Sequence, residues 1–501
     1  MARFKKSVFL LLAALTLPAI AAGDDQRNAE LFAQVDRIFA DYALDQHVPG
    51  LVYGIVADGQ LAYVRGMGVQ DLVSRRPVTP DSLFRIASMT KAFTALTILK
   101  LRDDGKLQLE APAENYVPEM KNWTYPTQDA PRIRVRDLLN HTGGLVTDDP
   151  WGDRQTPLPD AAFTDLLRGG VPFSHAPGIT MEYSNLGYAV LGRIITNVSG
   201  RPYAETISST LMQPLGMAST GFLADAAPQE RRAQGYHWAD NSWNQVQTMG
   251  HGAFGAMGGV QTSAVDYAKW MGYLLSAWPA RDGADAGPVK RATVRELAQG
   301  SNFPALRQRF GHTGAASCRQ ASAYAMGLIV ATDCELGLTL SHGGGYPGYG
   351  SHVLLLPEYG VGVFAFTNRS YSGSSAAVWD AALTLSRGGF LKPRSVAVGP
   401  ALATAYRTAG TIYQQGDVGV AGDQLAMNFL MDRDAAGWRR DLAKLKQAVG
   451  DCDTSAAIVP NGALGGDFTW RCATGRVTGQ LLLAPTTPPR IQTLMLQPKS
   501  P

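Results

Sequence analysis

The chain is predicted to be an α/β protein followed by a smaller α+β domain. Three observations point there. Strand-like segments occur early and late, a long helical stretch separates them, and the composition shifts around Lys392 to Pro400. Strands, a helical excursion, strands again and a closing helix are satisfied by one sheet whose two ends join across an inserted helical region. The 501 residues, 45% apolar and 17% charged, hold ample material for a core. That balance excludes disordered and low-complexity chains.

The N-terminus carries an address. Arg3, Lys5 and Lys6 precede a short apolar run from Ser7 to Leu17, and Pro18 leads into Ala19-Ile20-Ala21-Ala22. This is the pattern of a cleaved export segment over residues 1–22, with an apolar run too short to span a bilayer. A periplasmic or secreted protein without a membrane anchor after cleavage is expected. The three cations account for the whole net charge of +3. The mature chain is then neutral, which gives no bulk electrostatic attraction to nucleic acid or anionic membrane.

Residues 23–392 form the larger domain. Asp24 to Gln46 has Leu31, Phe32, Val35, Ile38 and Phe39 at helical spacing. Leu51 to Val56 and Leu61 to Met67 flank Ala57-Asp58-Gly59-Gln60, a hairpin signal. A helix should start near Ser88, run to Arg102 and stop at Asp103-Asp104-Gly105. From Pro112 to Asn302 the chain is helical and loop-rich, broken by prolines. Gly337 to Leu340, Ser351 to Leu356 and Gly360 to Thr367 are strands, and Ala376 to Leu385 is a helix. Residues 393–501 form the accessory domain, with helices at Ala401 to Gln415 and Gly437 to Val449 and four short strands after them. It holds no residue set with evident chemistry.

Four cysteines suit an oxidising compartment. Of the three possible connectivities, the simplest closes the short loops Cys318–Cys334 and Cys452–Cys472. A metal site is not expected, since no CxxC or HExxH spacing occurs. No cofactor is implied.

Three local constellations offer chemistry. In Ser88-Met89-Thr90-Lys91 the hydroxyl and amine stand three apart on one helix face, so the amine can activate the serine. Tyr183-Ser184-Asn185 places a phenol and an amide two apart in an extended turn, facing one cleft. Cations near Tyr183 would lower its pKa toward a phenolate base. His342-Gly343-Gly344-Gly345 follows a strand, where glycines let backbone approach a ligand and His342 supplies a donor. Alone, each of the three also fits a structural role.

Taken in order, Ser-x-x-Lys, Tyr-x-Asn and His-x-Gly lie 95 and 159 residues apart. The set resembles the serine β-lactamase and DD-peptidase superfamily. The branch is the one holding class C β-lactamases, D-Ala-D-Ala carboxypeptidases, D-aminopeptidases and related esterases. Phe84 to Ala87, Val135 to Leu145 and Gly258 to Ala268 add to the likeness, which covers about residues 26 to 390. The resemblance implies an antiparallel sheet flanked by helices. It implies Ser88 as acylated nucleophile, Lys91 as its base, Tyr183 as proton shuttle and Asn185 as substrate-amide anchor. The oxyanion hole would be the backbone N–H groups of Ser88 and Gly345.

His342 stands where many β-lactamases carry lysine, which resembles DD-peptidases, D-aminopeptidases and some esterases more than resistance enzymes. No GxSxG elbow occurs, so an α/β-hydrolase is not supported. His141 and His251 are read as structural. The expected function is an exported serine hydrolase acting on a small peptide, amide or ester, with a D-residue cell-wall peptide favoured. The alternatives are a β-lactamase and a catalytically weak penicillin-binding sensor.

Overall fold

A computed structural model describes residues 19–222, 228–302, 305–309, 318–394 and 396–499. The proposed export segment up to Pro18 lies outside them. The chain divides into two compact units, one ending at Pro393 and one beginning at Arg394.

The first unit opens with helix α1 (Ala19–Asp45). The hairpin of β1 (Gly50–Ala57) and β2 (Gln60–Gly68) follows. Helix α2 (Lys91–Asp103), helix α3 (Asn185–Ser199) and helix α4 (Ala264–Leu275) belong to the helical region. Six strands then return: β3 (Ala305–Gln308), β4 (Arg319–Tyr324), β5 (Ile329–Asp333), β6 (Gly337–Tyr346), β7 (Tyr349–Leu356) and β8 (Val361–Thr367). Helix α5 (Ser375–Arg387) ends the unit. The strands form one antiparallel sheet in the order β2-β1-β8-β7-β6-β5-β4-β3. The first hairpin therefore joins the last strand, Leu51 standing opposite Thr367.

The centre of the sheet is buried on both faces, and its period of two divides the core. Val52 and Val56 of β1, with Phe364 and Phe366 of β8, face the helical region. Leu51, Tyr53 and Ile55, with Val363 and Ala365, face α1 and α5. A run of alternating apolar side chains cannot slip by one residue without exchanging these faces, so the register is fixed.

Three strands of this sheet went unread in the sequence. In β4, Gln320 and Ser322 take the buried positions usually held by apolar residues. Gln320 Nε2 donates to Asp333 Oδ2 at 2.7 Å, so a hydrogen bond offsets the polarity that hides this strand's alternation. Strand β3 is exposed at every position, and β5 has only Ala331 and Asp333 buried, which leaves no apolar alternation to read. Cys318 and Cys334 are paired, tying the entry of β4 to the end of β5.

The second unit contains α6 (Pro400–Gln415), α7 (Ala435–Val449) and a five-stranded antiparallel sheet. Trp470, Tyr413, Leu481 and Ile491 share its core. Trp470 Nε1 donates to the Tyr406 hydroxyl at 2.8 Å, satisfying the one polar atom of a fully buried indole. Cys452 and Cys472 face each other across two strands and are bonded. No helix among the described residues is long and apolar enough to cross a membrane.

Candidate active site

The expected helix at Ser88 begins differently. Residues Ala87–Thr90 form a 3₁₀ turn, and the α-helix starts only at Lys91. Ala87 has φ of 48°, a left-handed conformation that costs energy for a residue with a Cβ and persists where its surroundings hold it. They do so here. Val260 N donates to Thr90 Oγ1 at 3.1 Å, Ile86 N donates to the Val260 carbonyl at 3.0 Å, and Ser351 Oγ donates to the Ile86 carbonyl at 2.8 Å. In a 3₁₀ turn, residues three apart eclipse, which sets Lys91 directly over Ser88.

Lys91 is fully buried, and its ammonium is fully used. Nζ donates to Ser88 Oγ at 3.1 Å, Asn185 Oδ1 at 2.7 Å and the Met257 carbonyl at 3.0 Å. Three donors meet three acceptors. Burial lowers its pKa to about 8, against the pull of Asp149, Asp153 and Asp148, which favour the charged form. A substantial neutral fraction near pH 8 is the condition for an amine to take a serine proton.

Asn185 does not lie in an extended turn with Tyr183, as the sequence suggested. It is the first residue of α3, capped by Ser184, whose Oγ accepts from Gly187 N. Asp148 accepts from the backbone N–H groups of Asn185 and Leu186 at 2.6 and 2.9 Å, the orphan donors of the helix start. Asn185 Nδ2 donates to Asp149 Oδ1 at 2.9 Å. Both ends of this buried amide are therefore occupied, one of them on Lys91.

Tyr183 corrects a further expectation. Burial pushes its phenol well above the ordinary value, and the carboxylates of Asp149 and Asp153 act in the same direction. Lys91 Nζ stands 4.8 Å from the ring centroid, and His342, lowered by burial, adds no charge beside it. Tyr183 is thus a protonated phenol beside Ser88, suited to donating a proton. His141 backs it at 4.4 Å between ring centroids, and His141 Nδ1 accepts from Ser184 N at 3.1 Å.

The His-Gly-Gly-Gly run lies inside β6 and not beyond a strand end. His342 Nδ1 donates to the Gly343 carbonyl at 2.6 Å, so Nε2 accepts from the Tyr324 hydroxyl at 3.0 Å. Burial, together with the charge of Lys91, lowers its pKa to about 3. Gly344 is where β6 meets the serine turn: a Cβ there would collide with the Ile86 carbonyl and Ser351 Oγ.

Two cavities meet at this point. Ser88, Tyr183, His342, Gly343 and Gly345 line a cavity of about 270 Å³ together with Asp149, Asp153 and Tyr371. Tyr183 and His342 also border a cavity of about 760 Å³ that reaches Arg134, Asn140, Glu182 and Arg307. Asp149, Asp153, Tyr324 and Tyr371 had not been singled out. The carboxylate spacing Asp149-x-x-x-Asp153 was a usable signal, as it puts two acids one turn apart.

The Beta-lactamase family model matches residues 35–386. Protein flp of Staphylococcus aureus (strain N315) is 30% identical over 352 residues, 68% of this chain. The match spans 64% of that relative's length, less than two thirds of it. Esterase EstB of Burkholderia gladioli is 33% identical over 221 residues, 42% of this chain and 55% of the esterase. The octameric penicillin-binding protein homologue from Pyrococcus abyssi superposes with a TM-score of 0.56 at 20% identity, over 90% of this chain and 96% of its own. At that identity the likeness carries the architecture alone. Since the match runs across more than half of the chain and includes Ser88, Lys91, Tyr183 and His342, the chain belongs to the Beta-lactamase family.

Proposed function

We propose that the protein is an exported serine hydrolase that passes through an acyl-enzyme on Ser88 and cleaves a peptide, amide or ester, with D-residue cell-wall peptides the favoured class. The supporting observation is the 3.1 Å contact between Ser88 Oγ and a buried Lys91 amine whose pKa is lowered to about 8. Ser88 Oγ attacks the carbonyl carbon and its proton passes to neutral Lys91 Nζ. The bond to the leaving nitrogen or oxygen breaks, and Tyr183 gives that atom its phenolic proton, recovering one from Lys91. Water then adds to the ester carbonyl, returns a proton to Ser88 Oγ and frees the acid. The N–H groups of Ser88 and Gly345 are assigned to the carbonyl oxygen, and His342 and Asn185 to positioning.

The β-lactamase reading is weaker. A neutral His342, with its two nitrogens engaged by Gly343 and Tyr324, brings no charge to a β-lactam carboxylate where a lysine would. The test is turnover of D-Ala-D-Ala peptides, amino-acid amides, p-nitrophenyl esters and a chromogenic cephalosporin by the wild type and Ser88→Ala. Peptide or ester turnover at least ~10²-fold above the cephalosporin by kcat/KM, about 2.7 kcal/mol, supports the reading. Cephalosporin turnover equal to or above the best peptide or ester would promote the β-lactamase.

A further inference from the structure

We propose that the small cavity at Ser88 selects substrates whose acyl portion carries a protonated amine, with Asp153, assisted by Asp149 at its mouth, receiving the ammonium. This rests on the serine-hydrolase reading of the same cavity and names its substrate class.

Asp153 is 2% exposed yet lines the cavity into which Ser88 opens. Its Oδ2 accepts from the Tyr371 hydroxyl at 3.0 Å, and among the described residues no hydrogen bond reaches Oδ1. A buried carboxylate facing a cavity with an open acceptor is stabilised by a cation bearing donors. Asp149, four residues earlier and exposed, accepts from Asn185 on Oδ1 and lines the same cavity.

The positive groups nearby do not fill this role. All three donors of Lys91 are spent on Ser88, Asn185 and Met257. The exposed Arg154 directs Nη1 to the Pro150 carbonyl at 2.7 Å and reaches the Tyr371 hydroxyl at 3.5 Å. His342 and His141 are both held neutral by burial. Asp148 is occupied by the helix start. Asp149 and Asp153 are the charged groups among the cavity's described lining residues. Burial raises Asp153 to about 7, while Lys91 and Arg154 favour its charged form. An ammonium seated against it would add to them where a carboxylate would be repelled.

Size assigns the two halves of the substrate. About 270 Å³ suits an acyl group of one amino acid, whereas the 760 Å³ cavity takes a larger leaving group past Tyr183 and His342. The expected substrate is thus an amide, peptide or ester cut directly after a residue with a free amino group.

The experiment compares alanine p-nitroanilide and methyl ester with their N-acetyl forms, in D and L series, alongside p-nitrophenyl acetate. Free-amine substrates favoured at least ~10-fold in kcat/KM, with that ratio falling toward one in Asp153→Asn, support the proposal. Tyr371→Phe keeps the carboxylate and should keep the ratio. Acetylated substrates handled equally or better overturn it, as does a ratio unchanged in Asp153→Asn. If Ser88 hydrolyses p-nitrophenyl acetate but no free-amine compound, the proposal fails and the hydrolase reading stands. If no Ser88-dependent hydrolysis of any ester or amide is found, both fail. Should Asp153→Asn not fold, the wild-type ratio alone decides.

Discussion

Tyr324 and His342 are joined by a hydrogen bond of 3.0 Å, the tyrosine hydroxyl donating to Nε2. With Nδ1 committed to the Gly343 carbonyl, the imidazole is locked in one tautomer and one orientation beside the serine cavity. Tyr324→Phe removes the donor and frees the ring. The expected result is kcat/KM on an ester reduced ~5- to 30-fold, the scale of 1–2 kcal/mol. A rate equal to wild type would limit Tyr324 to a structural part.

Ser88→Ala should abolish covalent labelling by a fluorophosphonate probe and cut turnover by at least ~10³, as removal of a nucleophile does. Mass spectrometry of the labelled wild type checks the site. A label on any other residue moves the nucleophile elsewhere.

Lys91 acts in its neutral form, so activity should rise with pH. Its pKa of about 8 places the half-maximum of kcat/KM near pH 8, with a tenfold fall per unit on the acid side. A plateau reached by pH 6 would show that another group takes the Ser88 proton.

Acid should destabilise the fold through two histidines. Burial lowers His342 to about 3 and His352 to about 4, both below the ordinary 6.5. Between those values the unfolded chain binds protons that the folded one refuses, so stability is full above pH 6.5 and declines as pH falls. Each contributes at most about 1.4 kcal/mol per pH unit. Urea unfolding at pH 7 and pH 5 measures the slope, and His352→Gln should flatten it. An unchanged slope would assign the acid limb to other groups.

Gly344→Ala forces apart β6 and the serine turn, because the Ile86 carbonyl occupies the space a methyl needs. A shift of about 1 Å at the nucleophile should cost ~10² in kcat, with a loss of about 1–3 kcal/mol in stability. Full activity would show that the turn can move without consequence.

Local pattern alone carried much of this protein. The hairpin from Leu51, the helix after Lys91 and the strands from Ser351 to Thr367 announce themselves because their side chains alternate or recur with the period of the element. The order of Ser88-x-x-Lys91, Tyr183-x-Asn185 and His342-x-Gly344 named residues that the fold brings together, with Ser88, Tyr183 and His342 at one cavity, Lys91 bonded to Ser88 and Asn185 bonded to Lys91. Tertiary structure decided the rest. Strand β4 buries Gln320 and Ser322, which only a partner such as Asp333 makes tolerable, so no hydrophobic period marks it. Tyr183 is a protonated phenol because burial outweighs its hydrogen bond with Ser88, a balance set by tertiary packing and not by sequence neighbours. Asp149, Asp153, Tyr324 and Tyr371 reach the serine cavity, or the histidine beside it, from separate parts of the chain. Local periodicity reports what each segment can form. Which distant segments share a cavity, and what charge results there, follows only once burial has fixed their separation and removed the water between them.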